Sequence, residues 1–197
     1  MQTFFELISQ ARSCRRFDPS RLVTEEELRS LAEAAMLSPS ARNAQVLRYA
    51  LVSEPAEAEG LYRHLVLGGA YSAEERGALS YRPAAFIMIL GPANPSKFTM
   101  MDVGIAAQSL NLAANSMGLK ACMCGAFDER YACDFIRSKG IADLVPSLLL
   151  AVGSPAENTA WEVFSGEGKP TYRREPEGQI VQKLPLDTLI VYPARQS

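Results

Sequence analysis

Histidine is almost missing from this chain: His64 is the single copy in 197 residues. A serine or cysteine hydrolase triad would have to use that imidazole, which sits in Tyr62-Arg63-His64-Leu65 with no nucleophile motif beside it. Such triads are therefore disfavoured, and His64 reads as a helix-surface residue. Cysteine is sparse as well. Cys14, Cys122, Cys124 and Cys133 make neither a CxxC pair nor zinc-finger spacing, so no metal site is expected and the thiols should pack reduced, as small hydrophobes. Basic charge is not in surplus either. A net charge of -2 argues against a nucleic-acid or membrane-surface partner. No apolar run is long enough to span a membrane, and the opening MQTFFELISQARS lacks the basic start and long apolar core of a signal peptide. A cytoplasmic protein is the expectation.

With 48% hydrophobic and 21% charged residues, the chain suits one well-filled core, so a single domain over 1–197 is expected. The most informative stretch is polar: Ser38-Pro39-Ser40-Ala41-Arg42-Asn43-Ala44-Gln45. Ser40, Asn43 and Gln45 can each donate and accept hydrogen bonds, which suits the edge of a planar, heteroatom-rich ring. The alternative is that they cap a helix and close a turn. A second polar group lies in Arg12-Ser13-Cys14-Arg15-Arg16-Phe17. Guanidinium groups bind phosphate bidentately and a hydroxyl adds a donor, so this is a candidate phosphate cradle; a solvated basic face is the other reading.

Apolar spacing predicts a short helix over Thr3–Ala11 and a clearer one over Thr24–Met36. In the second, Thr24 and Glu27 make a capping box, and Val23 and Leu28 occupy the staple positions. LRYALV (47–52) and AAFIMIL (84–90) read as strands, the latter apolar on both faces and so buried mid-sheet. A helix over about Ala56–Leu67 lies between them, then a polar stretch from Ala70 to Arg82 expected to include mobile surface. A helix opened by Asp102 should run to Met117, stopped by Gly118. It is apolar almost all round, which predicts a homodimer seam, with a core helix of a monomer as the alternative. KACMCG (120–125) and SLLLAV (147–152) read as strands around a helix capped by Asp128 and ended at Gly140. From Ala156 to Gln182 the chain is expected to be an irregular arm, ending in a strand over Leu189–Tyr192. That arm would embrace a partner subunit or form an edge strand on its own sheet.

In order and spacing these pieces resemble the FMN-dependent nitroreductases. The motifs are Arg12-Ser13-Cys14-Arg15-Arg16-Phe17, Pro39-Ser40-Ala41-Arg42-Asn43-Ala44-Gln45, Asp102-Val103-Gly104 through Gln108 with Gly118-Leu119, Cys124-Gly125-Ala126-Phe127 and Val152-Gly153-Ser154-Pro155. The resemblance covers nearly the whole chain. It implies an α+β fold whose central mixed, mainly antiparallel sheet is flanked by helices, in an intertwined homodimer with C-terminal arm exchange and FMN at the interface. By motif position, Arg12, Ser13, Arg15 and Lys183 would bind the phosphate and the pyrimidine side of the flavin. Pro39, Ser40, Asn43 and Gln45 would reach it from the partner subunit, and Cys124 and Gly125 would lie beside N5.

Two departures stand out. Ala11 occupies a position where many members carry arginine, and Val46-Leu47 replaces the usual Pro-Trp after Gln45. The implied activity is hydride transfer from NAD(P)H through FMN to a small planar acceptor such as a nitroaromatic or quinone, in ping-pong fashion. No catalytic side chain is required, because the flavin carries the redox chemistry. The alternatives are a divergent member that reduces enones or removes halogen, or a non-catalytic flavin- or phosphate-binding protein.

Overall fold

A computed structural model describes residues 3–69, 71 and 81–191. They fall into two compact units, divided between Ala156 and Glu157. The first contains α1 (Phe4–Gln10), β1 (Phe17–Asp18), α2 (Glu25–Met36), β2 (Arg48–Val52), α3 (Pro55–Arg63), β3 (Ala85–Gly91), α4 (Lys97–Ser116), β4 (Lys120–Cys124), α5 (Glu129–Ser138) and β5 (Val145–Pro155). Its sheet is antiparallel throughout. β2 pairs with β3 and β3 with β5, while the far edge of β5 takes β4 along Leu149–Gly153 and β1 at Ser154–Pro155.

Strand β3 explains the layering, since successive side chains of a strand point to opposite faces. Ala85, Ile87 and Ile89 join Leu28, Leu31, Val103, Ala107 and Leu110 of α2 and α4 in one apolar cluster. Phe86, Met88 and Leu90 join Leu61 of α3, Ile136 of α5 and two cysteines of β4 in another. Every residue of β3 is buried. That is the α+β architecture expected, with helices on both faces of the sheet.

Local signals set several boundaries. Thr24 and Glu27 form the predicted box, Thr24 Oγ1 accepting the Glu27 N–H at 3.2 Å while Glu27 Oε2 accepts the Thr24 N–H at 2.9 Å. The staple residues Val23 and Leu28 are both buried. Helix α4 corrects the expected start at Asp102. Ser96 caps it, its Oγ accepting the Thr99 N–H at 3.1 Å, so Asp102 lies in the second turn with its side chain buried. Helix α3 ends at Arg63, short of the expected Leu67, because the chain turns to pair Leu65 with Phe127 and to give the Val66 N–H to the Ala126 carbonyl at 2.8 Å. His64 is accordingly the C-terminal cap of α3, not a residue on a helix face. Its ring stacks on Tyr131 with centroids 3.7 Å apart. Helix α1 keeps its Thr3 cap but has no buried residue; Phe4 and Phe5 are exposed.

The second unit overturns the expected irregular arm. β6 (Asn158–Val163), β7 (Tyr172–Glu175) and β8 (Gly178–Lys183) form a sheet in the order β6-β8-β7, with β6 and β8 parallel. Polar groups hold it together. Arg174 pairs with Glu157, whose side chain is almost wholly buried, and Arg173 reaches Glu162 at 2.6 Å. The strand expected from Leu189 is also corrected: Leu186–Leu189 is a helical turn, α6, and Ile190 follows it extended. Tyr192 lies outside the described residues, as does most of the polar stretch from Ala70 to Arg82.

Candidate functional site

The polar loop between α2 and β2 is a strained turn. Arg42, Asn43 and Gln45 all have left-handed backbones, with φ of 56°, 52° and 47°, though none is glycine. Such a conformation costs a non-glycine residue about 1 kcal/mol or more, less for asparagine, so something must hold it. Ser40 Oγ accepts the Gln45 N–H at 3.2 Å, and Gln45 Nε2 donates to Asn43 Oδ1 at 3.0 Å. Arg48 Nη1 donates to the Gln45 carbonyl at 2.8 Å. The deepest tether comes from α4: Asp102 Oδ1 accepts the Ala41 N–H at 2.9 Å. Pro39 precedes the turn, and Asn43 and Gln45 are left exposed.

The arginine segment occupies another place. Ala11 is buried, and its carbonyl accepts Asn111 Nδ2 of α4 at 3.2 Å. Lys120 Nζ donates to the Gln10 carbonyl at 2.6 Å and also reaches Asn115. The Cys14 N–H then joins the Ala121 carbonyl of β4. The three arginines diverge from this anchored strip. Arg12 Nη2 donates to the Ile8 carbonyl at 2.6 Å, Arg15 lies 5.5 Å from the Tyr71 ring centre, and Arg16 lies 5.3 Å from that of Tyr81. Burial pulls the Arg12 guanidinium below its ordinary pKa, and its buried Nε has no hydrogen-bond partner among the described residues. A desolvated cation with an unused donor fits an anionic oxygen. Ser13 is half-buried between Arg12 and Cys14.

Cys124 ends β4 near this strip, and Gly125 follows it. The Cys124 thiol donates to the Val66 and Ala126 carbonyls at 3.5 and 3.4 Å. Burial pushes its pKa up, opposed by those bonds and by the nearby charge of Arg15. Gly125 is exposed, and a Cβ there would find nothing nearer than Leu148 at 4.0 Å.

Within one chain, then, Arg12, Ser13, Arg15, Cys124 and Gly125 gather around β4, while Pro39, Ser40, Asn43 and Gln45 gather around Asp102. Asp102 and Asn111 anchor the two groups to the same helix, about 14 Å apart along its axis at 1.5 Å per residue. Lys183 belongs to the second unit, at the end of β8, where its carbonyl accepts the Phe164 N–H at 2.7 Å.

Residues 8–154 match the model of the nitroreductase family. The chain belongs to that family. Protein DrgA of Synechocystis sp. is 26% identical over 180 residues, which cover 78% of this chain and 85% of that protein. A proposed nitroreductase from Desulfovibrio desulfuricans, solved in complex with FMN, superposes with a TM-score of 0.67 at 22% identity over 100% of this chain and 99% of that one. A nitroreductase family protein from Clostridium difficile 630 gives 0.65 at 22% identity, over 98% and 100%. At these identities the structural likeness is one of fold.

The two departures noted in this nitroreductase family member have structural counterparts. Ala11 is only 4% exposed, so a longer side chain there would have to displace its neighbours. Leu47 packs against the α2/α4 side of the core, and Val46 with Leu47 lines a cavity of about 500 Å³ that also touches Met36, Tyr49, Asp102 and Arg29. Pro39, Ser40 and Gln45 border this cavity; Arg12, Arg15 and Gly125 do not. Burial, with a smaller contribution from the Asp102 charge, raises the Tyr49 pKa.

Asp102 was legible as part of a helix but not as the tether of the loop. The contact spans sixty-one positions, and no local pattern announces it. Tyr71, from a stretch with no clear period, was likewise missed.

Proposed function

We propose that this nitroreductase family protein is an FMN-dependent oxidoreductase that takes a hydride from NADH or NADPH and delivers it to a small planar acceptor, a nitroaromatic or a quinone. The observation that carries the reading is the loop of Ser40, Asn43 and Gln45. Three left-handed non-glycine residues held by four separate hydrogen-bonded restraints are strain retained at a place with no packing role, and strain of that kind clusters at binding sites. Arg12, with its unused buried Nε, together with Ser13 and Arg15, would take the phosphate. Asn43 and Gln45 would hold the edge of the ring, Gly125 leaves backbone accessible to it, and Lys183 would add a cation. Bound FMN supplies the hydride chemistry. The side chains bind, orient and bias charge.

The assembly belongs to the same proposal. One side of α4 is buried in the core, while Phe98, Met101 and Ile105 are 47%, 58% and 37% exposed. An apolar face on a central helix favours a homodimer seam. The second subunit would bring its own Asn43 loop to the arginine segment of the first, with the tail contributing to the exchange. A cytoplasmic location completes the proposal, in keeping with four free cysteines.

The test is an absorbance spectrum of the purified protein, an FMN titration, and stopped-flow mixing with NADH or NADPH and then with nitroaromatic and quinone acceptors. Flavin binding, bleaching by a nicotinamide and recolouring by an acceptor are expected, in a protein that sediments as a dimer at micromolar concentration. Failure to bind FMN overturns the cofactor assignment, and flavin that neither nicotinamide bleaches overturns the reductant.

A further inference from the structure

The segment that follows α3 carries no family motif, yet it is tied to the turn beside Gly125 and touches two of the proposed cofactor-binding residues, Cys124 and Arg15. The Val66 N–H donates to the Ala126 carbonyl at 2.8 Å, and Leu65 bridges Phe127. The Cys124 thiol donates to the Val66 carbonyl at 3.5 Å. The segment is thus fastened to the turn that bears Gly125. The chain then turns at Gly68, with φ of 73°, and the Tyr71 N–H closes on the Gly68 carbonyl at 2.8 Å. Tyr71 is 5% exposed, and its ring faces the Arg15 guanidinium at 5.5 Å, within the range over which a cation is held by an aromatic face.

Gly68 is needed twice over. Its φ is unfavourable to any side chain. A Cβ there would stand 2.4 Å from Tyr71 Cδ2 and 3.1 Å from Arg15 Cδ. The ring and the arginine stem therefore pack on the bare backbone of this glycine.

We propose that Tyr71 is a positioning residue, whose buried ring, seated on Gly68, fixes the direction of the Arg15 guanidinium toward the anion that Arg15 binds. The inference rests on the reading that Arg15 contacts FMN. A long, flexible cation is ordered before the ligand arrives, so less rotamer freedom is lost on binding. The ring acts through its face, so a phenyl group suffices.

The test compares wild type with Tyr71→Phe, Tyr71→Leu, Gly68→Ala, Arg15→Ala and the Tyr71→Leu/Arg15→Ala pair. Two readouts are used: FMN titration, and the Arg15 Nε–H resonance in protein stripped of FMN. Tyr71→Phe should bind FMN within about twofold of wild type, and Tyr71→Leu and Gly68→Ala about tenfold more weakly. The double variant should bind no more weakly than Arg15→Ala alone. In the stripped protein the Arg15 resonance should be ring-shifted in wild type and in Tyr71→Phe, and should move to the position of a free arginine in Tyr71→Leu. Additive losses in the double variant, or equal behaviour of Phe and Leu, overturn the proposal. So does an Arg15 resonance that ignores the ring. If wild type binds no FMN, the cofactor reading fails, and the resonance still decides whether Tyr71 orients Arg15.

Discussion

Replacing Asp102 by alanine removes the deepest restraint on the Asn43 loop, and the structure sets the scale of the effect. Left-handed backbone at Arg42, Asn43 and Gln45 stores about 3 kcal/mol at roughly 1 kcal/mol each. The bond from the Ala41 N–H to Asp102, at 2.9 Å and with the carboxylate 5% exposed, is worth about 2 kcal/mol as a hydrogen bond to a charged group. Without it the margin by which the remaining restraints exceed the strain shrinks by that amount, and relaxed loop conformations become more populated. Hydrogen exchange reads this directly. The Asn43 N–H, bonded to the Ser40 carbonyl at 2.9 Å, and the Gln45 N–H should exchange about 30-fold faster in Asp102→Ala. Asp102→Asn keeps an acceptor oxygen without the charge, and should lose about half as much in free energy. The upward-shifted pKa of Tyr49 should fall in both variants but stay above its ordinary value, because burial is the larger cause. Unchanged exchange in Asp102→Ala would refute the reasoning, as would an asparagine variant as loose as the alanine one.

Glu27 should make acid stability depend on the start of α2. Its bond from Arg21, aided by Thr24, draws its pKa down from 4.5 to about 2, so the contribution is complete above the unfolded value and is lost as pH falls through the folded one. Arg21 is 43% exposed, which limits the contribution to ~1 kcal/mol; urea unfolding should show wild type ahead of Glu27→Gln at pH 7 and the gap closing near pH 2. In the second unit, a Cβ at Gly178 would stand 1.9 Å from the Asn158 carbonyl oxygen, so Gly178→Ala should separate β6 from β8 and destabilise that sheet by ~3 kcal/mol. Trp161, the single tryptophan and the register partner of Val181, reports on it; an unaltered fluorescence melt would contradict the steric argument.

Elements whose determinants lie within one turn or one strand were legible from sequence. Thr24 and Glu27 are three residues apart, and their box formed. β3 is apolar at every position but its last, and it took the middle of the sheet. Where the determinant was distant, sequence misled. Asp102 resembles a helix cap, but Ser96 outcompeted it, and Asp102 was buried against a loop sixty-one positions away. The second sheet was missed because Arg173, Arg174, Gln179 and Gln182 show no apolar alternation; charge pairs and a close approach at Gly178 order those strands instead. The loop residues Ser40, Asn43 and Gln45 were picked out by chemistry. Their strain was not legible, because of the three left-handed residues only Asn43 is of a type that adopts positive φ readily.

Strand β5 imposes an order on biosynthesis. It is the last strand of its sheet to leave the ribosome, yet β3, β4 and β1 all hydrogen-bond to it, and its terminal pairing is Phe17 with Pro155. β1, which begins at Phe17, the last residue of the arginine segment, therefore waits without its partner while nearly the whole first unit is made, and closes the longest loop in that unit. On the proposed function, nascent chains should remain unable to capture FMN until Pro155 has cleared the exit tunnel. For that interval the exposed faces of β3 and β4 are what a chaperone would have to cover.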